Sequence, residues 1–149
     1  MAESTRLVDL VSARIDRALD EQRERLLAIS PDLAPFDRYA RDLLSGGKRF
    51  RALFCYWGWQ SVAGRSGSFD PLAEGSRQTT AEAVVTVAAA LEVFHAAALV
   101  HDDIMDRSDT RRGRPAAHRR FESLHEESGF VGDRGQYGTN SALLLGDLL

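Results

Sequence analysis

The chain has 149 residues, 44% hydrophobic and 28% charged, with a formal net charge of −3 at pH 7. That length is enough for one domain with a real core, and that composition is ordinary for a soluble globular protein. The slight acidity gives no global footprint for nucleic acid or for an anionic membrane surface.

Chain order gives an all-helical reading. Leu7, Leu10, Val11, Ile15, Ala18 and Leu19 recur at three- and four-residue spacing and predict an amphipathic first helix, ending near Ile29 before Ser30-Pro31. No secretory n-region and h-region open the chain. A second helix is expected from about Leu33 to Leu44 and a third from Arg49 to Ala63, with Trp57 and Trp59 as packing bulk. Cys55 is the one cysteine, flanked by aromatics. It excludes an internal disulfide and reads as a buried thiol in a reducing, cytoplasmic compartment.

Between the second and third helices lies Gly46-Gly47-Lys48-Arg49-Phe50-Arg51. Two glycines let the backbone turn sharply and approach a ligand closely. The helix that follows points free N–H groups at any anion bound there, and Lys48 and Arg51 add positive charge. Taken alone, Gly-Gly is a helix stop with solvated cations behind it. The segment is neither a P-loop nor a dinucleotide fingerprint, because the GxxxxGK[ST] spacing and a preceding strand are both missing.

Gly64 to Arg77 reads as a polar loop, and a fourth helix is expected from about Thr79 to Asp106. This helix is alanine-rich, but no uninterrupted apolar run reaches about 18 residues, so no membrane span is expected. It ends in Asp102-Asp103-Ile104-Met105-Asp106. At 3.6 residues per turn, Asp102 and Asp106 lie about 40° apart and roughly 6 Å along the axis. His95 is seven residues before Asp102, almost in line with it. Two carboxylates one turn apart suit Mg²⁺, which completes its shell with water and substrate phosphates. Arg111-Arg112-Gly113 follows within ten residues, and guanidinium groups pair bidentately with those same phosphates. An isolated acidic cluster at a helix end is more often solvated surface; the basic residues on both sides shift the balance.

The loop Arg107 to Pro115 leads to a short helix from Ala117 to Glu127, then a Gly-rich loop from Gly129 to Gly138, then a last helix. No period-2 pattern and no internal repeat competes with this reading. His101, beside the motif, is expected to serve structure or to support the motif's residues without touching the ligand, and His118 and His125 lack metal-ligand spacing with a third partner. Ser141 to Leu149 is an apolar helix without a cap or basic last turn, and the expectation is that the chain is an N-terminal fragment.

In this order and spacing, GGKRFR, HDDIMD and SDTRRGRPAAH resemble the trans-polyprenyl diphosphate synthase family, over about Tyr39 to Leu149. GTNSALLLGDLL, Gly138 to Leu149, resembles the family's next helix. The resemblance implies an all-α helical bundle of the isoprenoid synthase type, with residues 1–149 as the N-terminal part of a single domain. It implies Mg²⁺ held by Asp102 and Asp106 against an allylic diphosphate, with Asp103 assisting and Arg111 binding the same diphosphate. Gly47, Lys48, Arg51, His95 and Arg112 would bind isopentenyl diphosphate. The implied reaction is chain elongation to a trans-prenyl diphosphate, in an enzyme expected to be a homodimer. Ala97 and Ala98, where bulky aromatics would stop the chain early, imply a product of C20 or longer, geranylgeranyl diphosphate first. The second aspartate-rich motif lies downstream in this family, so the chain alone is expected to be inactive. A class I terpene cyclase half-site is disfavoured by Lys48, Arg51 and Arg112. A non-catalytic partner subunit is the other alternative.

Overall fold

The computed structural model describes the backbone of residues 2–62 and 76–149. Most of the expected Gly64 to Arg77 loop lies outside the described residues. Among those residues the structure is helical: α1 (Ala2–Ile29), α2 (Ala34–Leu44), α3 (Phe50–Val62), α4 (Ser76–Met105), α5 (Ala117–Glu127) and α6 (Arg134–Leu148). One two-stranded hairpin, β1 (Thr110–Arg111) and β2 (Arg114–Pro115), sits between α4 and α5. The helical reading therefore holds, and the missing period-2 signal is explained by strands of two residues, too short to show alternation.

The chain forms two compact units, Met1–Val93 and Phe94–Leu149. In the first, Leu7, Val11, Ile15, Leu19 and Leu26 form the buried stripe of α1. Each such side chain contributes about 1.5–3 kcal/mol on leaving water. Ala18, expected on this stripe, is exposed. Ser30 ends α1 and opens a 3₁₀ turn, its side chain accepting the Asp32 N–H at 3.2 Å, with Pro31 set at the first position. On α2, Tyr39, Ala40 and Leu44 face inward, and Arg41 bonds Asp37 on its own helix and Asp20 on α1. In α3, Ala52 and Tyr56 are the buried residues. Trp57 is exposed rather than core bulk, although its ring meets Tyr56 edge-on at 5.5 Å. Cys55 is half-buried and unbridged.

Glu82–Met105 of α4 is long and apolar enough, by length and composition, to cross a membrane. Alanines raise its average although Glu92 and the aspartates interrupt it. The buried Glu92 carboxylate accepts the Ala52 N–H of α3 within the first unit.

In the second unit, α5 and α6 pack antiparallel. Phe121, Ala142 and Leu145 are fully buried, and Tyr137 packs its ring against Phe121, His125 and Phe130. The expected loop to Gly138 stops earlier, because Asp133 caps α6 by accepting the Gln136 N–H at 2.7 Å. Gly138 is thus helical. A Cβ there would lie 2.6 Å from the His118 carbonyl oxygen, so the glycine permits the close approach of α5.

Candidate functional site

The end of α4 is built by its backbone. Arg107 takes a left-handed φ of +54°. Ser108 N–H then bonds the Asp103 carbonyl at 2.9 Å and Arg107 N–H bonds that of Ile104 at 3.3 Å. This is a Schellman ending with arginine in place of the usual glycine. It stops the helix directly after the acidic motif and satisfies carbonyls that would otherwise be orphaned.

The hairpin that follows pairs Arg111 with Arg114 and Thr110 with Pro115. Its two-residue tip, Arg112-Gly113, has φ of +53° and +74°, as a type I′ turn requires. The turn exposes Arg112 and sends the Arg111 side chain back onto α4. Arg111 Nε donates to Asp103 Oδ1 at 3.0 Å and Oδ2 at 3.2 Å, while Nη2 reaches Asp103 Oδ1 and, at 3.3 Å, Asp102 Oδ2. These hydrogen bonds to Asp103, opposed by partial burial, raise the Arg111 pKa above its ordinary value.

The three aspartates therefore differ. The Asp103 side chain is 4% exposed and spent on Arg111, whereas that of Asp102 is 54% exposed. Asp106 is exposed as well. Among the described residues no three His, Cys, Asp or Glu side chains converge on a metal-sized point. Two projecting carboxylates with a guanidinium beside one of them fit Mg²⁺ that takes its remaining ligands from water and phosphate. They do not fit a metal held by protein alone.

His101 lies against α6. Its Nε2 is 3.4 Å from Asp147 Oδ1, and a Cβ on Gly146 would fall 2.4 Å from that nitrogen. His95 and Ala97 are half-buried and Ala98 is exposed. Phe94, which sequence reasoning passed over, is exposed one turn before Ala98, on the same face as Asp102.

In the first unit, Gly46 and Gly47 adopt φ of +67° and +93°. Lys48 and Arg51 are both exposed, and Lys48 Nζ lies 5.8 Å from the centre of the Phe50 ring. The first turn of α3 is not wholly free for an anion, as the sequence suggested, because Ala52 N–H already donates to Glu92 Oε1 at 3.1 Å. Arg49, which lies between the two cations in sequence, is buried. Neither Arg49 nor Glu92 was singled out from the sequence. The available signal for Glu92 was a charge on the alanine stripe of α4, in register with Ala88 and Ala96.

The family profile described as polyprenyl synthetase matches residues 34–149. A heptaprenyl diphosphate synthase component 2 from Geobacillus stearothermophilus is 39% identical over 66% of this chain and 26% of its own length. A nonaprenyl diphosphate synthase from Mycobacterium tuberculosis is 33% identical over 96% of this chain and 35% of its own. The crystal structure of geranylgeranyl pyrophosphate synthase from Corynebacterium glutamicum, complexed with isoprenyl diphosphate and magnesium, superposes with a TM-score of 0.79 at 35% identity. That match covers 95% of this chain and 38% of the other. The chain belongs to the polyprenyl synthetase family, and it spans between a quarter and two-fifths of the length of these relatives.

Proposed function

We propose that this chain carries the first metal and diphosphate machinery of a trans-prenyl diphosphate synthase. The observation that supports it most is the division of labour in the acidic motif: Asp103 holds Arg111, and Asp102 and Asp106 remain exposed. Asp102 and Asp106 would hold Mg²⁺ with an allylic diphosphate, and Arg111 would donate to the same phosphates. The metal supplies Lewis-acid neutralisation of charge on the leaving diphosphate. Arg111 adds a preorganised donor where that charge develops. The allylic C–O bond breaks with its electron pair leaving on diphosphate. The isopentenyl double bond attacks the carbon so released, and loss of a proton gives a prenyl diphosphate five carbons longer, plus pyrophosphate. Lys48 and Arg51 would hold the isopentenyl diphosphate with the backbone at Gly47, and His95 and Arg112 are proposed as further diphosphate donors. No side-chain nucleophile is needed.

The substrates are thus isopentenyl diphosphate and an allylic diphosphate. The proposed product is C20 or longer, the proposed assembly a homodimer and the proposed compartment the cytoplasm. A partner-subunit reading has one observation in its favour, the relative named as component 2 of its enzyme.

Titration of the purified chain with each diphosphate, with and without Mg²⁺, tests the proposal. Arg111→Ala should weaken the Mg²⁺-dependent allylic ligand, and Lys48→Ala or Arg51→Ala the isopentenyl one. Equal weakening of both ligands by every variant would reject the assignment.

A further inference from the structure

Two buried charges of the first unit have no part in the chemistry proposed above: Arg49, 8% exposed, and Glu92, 9% exposed. Burying a charge is unfavourable unless it is hydrogen-bonded. Each of these makes one specific bond to backbone, and both bonds fall at the ends of the segment bearing Lys48 and Arg51. Arg49 Nη2 donates to the Leu44 carbonyl at 2.6 Å. Leu44 is the last residue of α2, so its carbonyl is one of the helix's orphan acceptors, and a cation is favoured there. The bond closes the six residues from Leu44 to Arg49 on themselves.

The backbone between them is held in a disfavoured shape. Gly46, Gly47 and Arg49 all lie at positive φ, and for Arg49, at +50°, this is strained. Such a conformation persists where its surroundings over-determine it, and here the strained residue's own side chain is one of the ties. Arg49 is also the residue from which α3 starts, its carbonyl accepting Leu53 N–H at 2.9 Å. A residue in that place ordinarily offers a side-chain oxygen to an amide of the first turn. Arginine has only donors. Glu92 Oε1 supplies the missing acceptor from α4, taking the Ala52 N–H at 3.1 Å.

We propose that Arg49 and Glu92 are positioning residues that lock the segment from Gly46 to Arg51 in the shape presenting Lys48 and Arg51 to a diphosphate. This rests on the diphosphate reading given above. Neither touches the ligand. Arg49 fixes the segment to the end of α2, and Glu92 fixes the first turn of α3, from which Arg51 projects. With Glu92 occupying one amide of that turn, the incoming diphosphate is held by the flanking cations.

The test uses the whole 149-residue chain, with amide exchange at Ala52 and pyrophosphate titrations in chelator and in Mg²⁺ as readouts. Glu92→Ala should speed Ala52 exchange at least about fivefold, the scale of one lost hydrogen bond. Glu92→Ala and Arg49→Gly, the latter tolerant of positive φ, should each weaken metal-free pyrophosphate binding about tenfold, the scale on which supporting partners act. The additional binding that Mg²⁺ brings should be unchanged, and Glu92→Gln, which keeps an acceptor oxygen, should retain both properties. Unaltered Ala52 exchange in Glu92→Ala would overturn the lock. Equal loss of metal-free and Mg²⁺-dependent binding would overturn it too, by showing a general loss of fold. Failure of the unsubstituted chain to bind metal-free pyrophosphate, with Ala52 protected, would instead overturn the diphosphate reading and the presentation of Lys48 and Arg51 with it.

Discussion

Asp102 and Asp103 are adjacent in sequence and opposite in role. Successive residues of a helix point about 100° apart, so one of two neighbours can turn inward while the other faces out. Asp103 follows Ala96 and Val100 at helical spacing, and all three are buried. That register was open to reading in the sequence; what the residue meets there was not, because Arg111 returns to it only through the hairpin. The difference is measurable. Asp103→Ala should lower stability by about 1–3 kcal/mol, because it strips a half-buried guanidinium of its main acceptor. Asp102→Ala should stay within about 0.5 kcal/mol, as its 3.3 Å contact with Arg111 involves an exposed carboxylate. Urea denaturation of both variants compares them directly. In titrations with Mg²⁺ and an allylic diphosphate the order should differ: Asp102→Ala should abolish the metal dependence, while Asp103→Ala should weaken diphosphate binding and leave a metal dependence behind.

Elements were legible where periodicity is long and obscure where a single backbone torsion decides. The stripe from Leu7 to Leu19 announced α1, and the α5 boundaries were those expected from Ala117 to Glu127. The start of α6 was set late because glycines read as loop, while Asp133 as a cap and Gly138 as a contact are decided by the neighbouring helix. Two substitutions probe these local decisions. Gly138→Ala should destabilise the second unit by about 1–3 kcal/mol, since its Cβ would meet α5 backbone, which cannot swing aside as a side chain can. Arg107→Gly should do the opposite and stabilise by roughly 0.5–1 kcal/mol, because the left-handed residue ending α4 would lose its steric penalty. Thermal unfolding of the two variants should move in opposite directions.

At the scale of the whole molecule, α4 presents Phe94 and Ala98 on the face that ends at Asp102, one of the two proposed metal ligands. In the second unit Phe94, Ala98 and Asp102 follow at four-residue spacing, all exposed. An apolar face leading away from the proposed diphosphate site is what a growing prenyl tail would require. The alanines at 97 and 98 were legible as small, but their different exposure was not: Ala98 faces outward in line with Asp102, whereas Ala97 is half-buried. The bulk nearest to Asp102 on that face is therefore Phe94, eight residues away and roughly 12 Å along the axis. A tail that passes Ala98 would meet this ring before any residue of the next turn. The test is a chimera that continues this chain with the remainder of the Corynebacterium glutamicum enzyme, of which it matches 38%. The chain alone should give no condensation, and the chimera should. In the chimera, Ala98→Phe should shorten the product more than Ala97→Phe, and Phe94→Ala should lengthen it, read by chromatography of the dephosphorylated alcohols. An unchanged product distribution in all three variants would place the end of the channel on another element.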